Sequence, residues 1–232
     1  MIKIIIRVFI PYLLLTVLPL HAASNDTENT ESMVEKIIQA YGGPVSVAGV
    51  KVVKHTGTIK SYRLNKTGAL ERLFASPDQL RVDIKYPGGP HEQRITTAEG
   101  AWRDGRLAPV PMQTAMKLQT ARFRLPLLLT EYALKVVAED DNRVHLGLNL
   151  SETTSLEVFV DKHNWRIVQS LGRMQMGGMN LEFITDYSDF RRVSGVLFAH
   201  REELRAMGRP TGVATIERIE VNTGITPADF KP

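Results

Sequence analysis

Between Leu80 and Tyr86 the chain reads LRVDIKY, with Leu80, Val82, Ile84 and Tyr86 alternating with Arg81, Asp83 and Lys85. A strict period of two sends every apolar side chain to one face of an extended segment and every charge to the other. The pattern returns in RVHLGLNL, through Val144, Leu146, Leu148 and Leu150, then at Leu156, Val158 and Val160, and over Val213 to Val221. About ten or eleven such runs, with turn residues between them, predict antiparallel strands with one buried face. Hydrophobic residues make up 43% of the chain and charged ones 23%, an ordinary globular balance. Pro and Gly are scattered and form no long linker, so one domain is expected.

A sheet with one apolar face needs a cover, and two segments carry helical spacing. Met33, Val34, Ile37, Ile38 and Tyr41 fall on one face of a helix, with Thr30 as its expected cap and Gly42-Gly43 followed by Pro44 as its stop. The polar stretch Ser24 to Asn29 is expected to precede that helix. The second segment, Pro109 to Tyr132, places Met112, Ala115, Met116 and Gln119 at helical spacing. Pro126 and Leu127, Leu128 and Leu129 then read as an apolar loop or a second short helix. Lying between strands, this segment is a natural cover for the open face of the sheet.

The stretch MQMGGMNLEF contains a hairpin signal, because Gly177-Gly178 suits a two-residue turn with positive φ at both positions. The implied register pairs Met176 with Met179, Met174 with Leu181, Gly172 with Phe183, and Val168 with Tyr187. On the other face Arg173 meets Glu182, an opposite-charge pair that supports this register, and Leu171 meets Ile184. One face therefore collects Met174, Met176, Met179, Leu181, Phe183 and Tyr187. Methionine is flexible and polarizable and fits varied apolar partners. Such a face suits either a packed core beneath a helix or a cavity for acyl chains, and the residues leave both open.

The N-terminus reads as an export signal. Lys3 and Arg7 precede an apolar run from Val8 to Leu20, broken only by Thr16, with small Ala22 as the expected cleavage residue. Residues 1–22 are thus expected to be a signal peptide and 23–232 the mature domain, soluble in a bacterial periplasm. The sequence has no cysteine, which excludes disulfides, thiolate chemistry and a lipidated cysteine. Loss of Lys3 and Arg7 lowers the formal charge from +4 to +2. No Lys/Arg cluster with aromatics occurs, so nucleic acid is not an expected partner.

Signals for catalysis are poor. His55, His91, His145, His163 and His200 are dispersed without metal-ligand spacing, and no GxSxG elbow or glycine-rich phosphate loop occurs. His200 lies in the same alternation phase as Val196 and Phe198, with Glu203 on the other face. Asp186 and Asp189 read as turn-capping residues. No nucleophile, base and orienting group come together, and neither an enzyme nor a metal or cofactor is expected.

Several phrases, in their order, resemble the LolA-like family of periplasmic outer-membrane lipoprotein carriers and sorting proteins. They are AYGG (40–43), SPDQLRVDI (76–84), TAEGAWRDGR (97–106), FRLPLLL (123–129), DFRRVSGVLFAH (189–200) and ITPADF (225–230). The resemblance spans nearly all of the mature chain. It implies an α+β, mostly β fold: a curved antiparallel sheet, an unclosed barrel, whose concave face is covered by helices. Between them an apolar cavity would take acyl chains of lipoproteins or related lipids, lined by Met174, Met176, Met179, Leu181, Phe183 and Tyr187. Met112, Met116, Leu127, Leu128 and Leu129 would form its cover. It further implies a monomeric carrier that receives cargo from an inner-membrane donor and hands it to an outer-membrane acceptor. A lipid-sensing regulatory module on the same fold is the alternative. Ser76 stands where the well-studied carriers have a basic residue that governs lid closure, so their gating does not transfer directly.

Overall fold

The computed structural model describes residues 22–232, with side chains from Thr30 onward. The signal peptide expected over residues 1–22 lies outside the described residues except for Ala22.

Helix α1 runs from Ala22 to Tyr41. It extends back through Ser24 to Asn29, so Thr30 is inside the helix and does not cap it. Ser, Thr, Asn and Asp are weak helix formers, which is why the sequence suggested a later start. The expected apolar face is real: Met33, Val34, Ile37, Ile38 and Tyr41 are all buried. Gly42 ends the helix at φ 129°, and a Cβ there would lie 2.5 Å from the Gly195 carbonyl oxygen. Only glycine fits both the backbone angle and the contact. A short helix α2 follows over Pro44–Ala48.

Six strands come next: β1 Val52–Ser61, β2 Lys66–Ala75, β3 Gln79–Lys85, β4 His91–Thr97, β5 Gly100–Arg103 and β6 Arg106–Leu107. Helix α3 (Val110–Phe123) and a 3-10 turn (Leu127–Thr130) lead to seven more. These are β7 Lys135–Glu139, β8 Arg143–Ser151, β9 Thr154–Asp161, β10 Arg166–Met176, β11 Met179–Val193, β12 Val196–Ala206 and β13 Arg209–Val221. The described residues thus hold thirteen strands where alternation suggested ten or eleven. An element such as β6, two residues long, has no room to show a period.

All thirteen form one antiparallel sheet in the order β6-β5-β4-β3-β2-β1-β13-β12-β11-β10-β9-β8-β7. Neighbours in space are neighbours in sequence, except that β1 pairs with β13. The sheet ends at β6 and β7, which do not pair, so the barrel is unclosed. The chain passes from one edge to the other through α3 and the 3-10 turn. A 14-residue helix is about 21 Å long. Helix α3 nevertheless touches β4 and β5 as well as β10, and β5 and β10 would be about 38 Å apart in a flat sheet. The sheet therefore curls around α3, and the helix lies across its concave side.

The hairpin register agrees with the sequence reading: Met176 pairs with Met179, Met174 with Leu181, Gly172 with Phe183, Arg173 with Glu182, and Leu171 with Ile184. The pattern departs at Val168. A β-bulge against β9 falls between Ile167 and Gln169, so Ile167 is the residue that turns into the core. A bulge inserts one extra residue and changes which neighbour faces inward, something alternation alone does not reveal.

Candidate functional site

The concave side divides into two regions. On the β7–β10 side, α1, the end of α3 and the 3-10 turn pack onto the sheet in a continuous aliphatic core. It includes Ile37, Leu118, Leu128, Leu129, Leu146, Leu156, Val158 and Met174. Met174 is 1% exposed, and Met176, Leu181, Phe183 and Tyr187 pack against the same cluster. Helix α3 comes so close to β10 that a Cβ on Gly172 would meet Leu118 Cδ2 at 2.3 Å. Here the methionine-bearing face is filled by the helix.

On the other side, beneath α3, lies a cavity of about 150 Å³. Strands β1, β2, β11 and β12 line it, together with Ile167 of β10, Tyr41 at the end of α1, and α2, α3 and the segment after α3. Its wall is largely apolar, through Val47, Val53, Phe74, Phe123, Leu125, Leu127, Ile167, Phe190, Phe198 and Leu204. Into this wall project His55, Arg72, Gln119, Arg122, Thr185, Tyr187 and Glu202.

Strand phase explains how charges enter an apolar face. Leu70, Arg72 and Phe74 alternate inward on β2, as do Val53, His55 and Ile59 on β1. On β12, Val196, Phe198, His200, Glu202 and Leu204 share one phase. Arg72 is 3% exposed, and its Nη1 donates to both Glu202 oxygens at 2.8 Å. Its guanidinium also lies 5.6 Å from the centre of the Phe123 ring, within cation–π range. His55, 6% exposed, sits between Phe123 and Phe198, with ring centroids 5.5 and 6.2 Å away. Neither of its ring nitrogens has a hydrogen-bond partner. Burial, with Arg72 and then His200 beside it, pushes its pKa down to about 3, so the imidazole is neutral. His200 Nδ1 donates to the Ile216 carbonyl at 2.7 Å, which assigns the hydrogen to that nitrogen because a carbonyl only accepts. Ser170 and Tyr187 hydroxyls pair at 2.9 Å. Burial raises the Tyr187 pKa, so Tyr187 is a neutral hydroxyl.

Two side-chain hydrogen bonds tie α3 to the sheet. Arg122 Nη2 donates to the Phe183 carbonyl on β11 at 2.8 Å, and Arg94 Nη1 donates to Gln119 Oε1 at 3.3 Å. Burial disfavours the Arg122 charge, while Tyr187 and Glu202 act in the opposite sense. Ser76 lines the cavity, and its backbone N–H bonds the Lys51 carbonyl at 2.8 Å.

The residues singled out from the sequence fall into separate places. Tyr187 and Leu127 line the cavity. Met174, Met176, Leu181, Phe183, Leu128 and Leu129 belong to the filled core. Met116 is buried in a small cluster with Ala101 and Ala108, against which Met112 packs. Met179, beside the hairpin turn, is 63% exposed and so is not part of the buried face. Of the polar residues around the cavity, the sequence reading had named Tyr187 as a lining residue, while Arg72, Gln119, Arg122, Thr185 and Glu202 escaped it. The available signal was a charged residue standing in the inward phase of a strand, as Arg72 does between Leu70 and Phe74. Among the described residues, no three His, Asp or Glu come together to hold a metal.

A many-stranded antiparallel half-barrel, covered on its concave face by a helix joining the two sheet edges, defines the class of fold. A scan against protein-family models finds no match, and a search of curated proteins finds none. Solved structures do match. A domain named for outer membrane lipoprotein sorting, from Vibrio parahaemolyticus, aligns with TM-score 0.53 at 11% identity, over 88% of this chain and 97% of that one. A LolA superfamily protein from Nitrosomonas europaea gives TM-score 0.56 at 12% identity, over 87% and 96%. A DUF1329 family protein from Desulfovibrio piger gives 0.52 at 10%, over 88% and 97%. The chain has a LolA-like fold.

Proposed function

We propose that this protein is a periplasmic carrier that takes the acyl part of a lipid or lipoprotein into the cavity beneath α3 for transfer towards the outer membrane. The observation that carries this reading is the cavity, walled by aliphatic and aromatic side chains and roofed by the helix that joins the two sheet edges. Burial of each methylene in such a space contributes about 0.8 kcal/mol, so affinity rises with every carbon admitted. At about 150 Å³ the cavity is smaller than the roughly 300–1,000 Å³ of typical ligand sites. A long chain therefore enters only as α3 lifts from the sheet, releasing Arg122 from Phe183 and Gln119 from Arg94. Loading and release then follow differential affinity between donor, carrier and acceptor, and no covalent step is needed. The protein acts as a monomer, without a cofactor, between an inner-membrane donor and an outer-membrane acceptor.

The test is mass spectrometry of organic extracts from protein purified from a periplasm without detergent. A stoichiometric long-chain lipid or acylated peptide is the expected result. Empty protein that also fails to take up a fluorescent fatty acid would overturn the reading.

A further inference from the structure

The cavity does not resemble a plain hydrocarbon pocket, because buried charge projects into it. Arg72 and Arg122 bring two positive charges and Glu202 one negative. Arg124, which also lines the cavity, is already paired with Glu131. The cavity thus carries a surplus of one positive charge in an apolar surrounding, an arrangement that is costly unless an anion meets it. The donors are present as well. Arg72 Nε, Arg122 Nε and the one N–H of the neutral His55 ring are buried without a hydrogen-bond partner. His55 has no bonded role in holding the fold, and Glu202, the carboxylate of the cavity, is committed to Arg72.

We propose that the cavity selects a single-chain amphiphile with a carboxylate head, the head meeting Arg122, the free edge of Arg72 and His55 while the chain runs along the aromatic and aliphatic wall. This rests on the acyl-binding reading above and names its ligand class. A carboxylate is acceptor-only, with about four lone-pair sites, and so matches a set of buried N–H donors. One negative charge neutralises the surplus, and charge-assisted bonds to guanidinium are about twice as strong as neutral ones. A hydroxyl head leaves the charge unmet, and an ammonium head adds to it.

The experiment is isothermal titration of delipidated protein at pH 7.5 with dodecanoate below micelle formation and with dodecan-1-ol below its solubility limit, for the wild type and Arg122→Met. The wild type is expected to bind dodecanoate about tenfold or more tightly than the alcohol, as one charge-assisted contact implies. In Arg122→Met the preference is expected to fall to about twofold. Equal affinity in the wild type, or a preference unchanged by the substitution, overturns the head assignment while leaving an acyl cavity in place. Failure of both ligands to bind overturns the cavity reading together with it. His55→Leu breaks no hydrogen bond of the protein and gives a second measure should Arg122→Met not fold. Its expected effect is a drop in preference of about threefold, and an unchanged preference counts against the assignment.

Discussion

The two sides of the concave sheet are made from the same alternating strands and are used in opposite ways. Beneath α1 and the 3-10 turn, the β7–β10 side is packed solid, with Leu118 seated on Gly172 and Met174 sealed behind it. Across β1, β2, β11 and β12, the same inward phase carries His55, Arg72 and Glu202 around open space. One side holds the lid to the sheet through dispersion and burial. The other leaves space beneath the lid and sets the buried Arg72–Glu202 pair and the unpartnered His55 around it. The contrast teaches that strand phase decides which side chains face inward, whereas the path of the covering helix decides whether they become core or cavity.

The sharpest way to break the contrast is to remove the counter-charge on the hollow side. Glu202→Leu leaves Arg72 buried beside Arg122 with no carboxylate and is expected to destabilise by about 3–5 kcal/mol. Replacing the pair together, Arg72→Met with Glu202→Leu, is expected to return stability to near the wild type or above it, because desolvation of both ions is then avoided. Urea unfolding of the three proteins checks this. A double variant as unstable as Glu202→Leu would show that the pair is part of the framework of the fold.

Equal truncations on the two sides sharpen the comparison. Leu118→Ala opens a void in a filled core and is expected to cost about 3 kcal/mol, whereas Leu204→Ala only enlarges an existing cavity and is expected to cost about 1 kcal/mol. Thermal and urea unfolding measure both. Similar losses at the two positions would mean that the hollow side is packed in solution.

Much of this architecture could be read from the sequence. The alternating runs, the hairpin register around Gly177-Gly178 and the apolar face of α1 follow from periodicity and turn chemistry, which are local properties. The site was less legible, because methionines drew attention to a face that α3 fills. Whether Met174 borders space or a helix depends on Leu118, 56 positions away in the chain, and no local pattern encodes that distance. Val168 misled for a related reason, since a bulge set by pairing with β9 replaces it with Ile167. Arg72 and His55 were visible as charged or titratable residues in an inward phase. What makes them a group is the pairing of β1 with β2, together with Glu202 reaching Arg72 from β12 on the other side of β13.

The mildest probe of the hollow side is pH. His55 has a pKa of about 3 in the folded protein against roughly 6.5 when unfolded. The groups facing it are Arg72, His200 and the rings of Phe123 and Phe198, and no carboxylate is among them. Because the folded pKa is depressed, the unfolded state binds the proton first. The contribution of neutral His55 is complete above pH 6.5 and is lost as pH falls towards 3, at a limiting slope of about 1.4 kcal/mol per pH unit. The linkage of every other group is common to the wild type and a His55 variant, so the difference between their curves reports His55. Replacing His55 with Leu removes its part of the slope. Urea unfolding of both proteins at pH 7, 6, 5 and 4.5 is expected to show the wild type losing stability faster than the variant. Parallel curves would mean that His55 is hydrated in solution and that the cavity opens to water more freely than its dry aromatic surround implies.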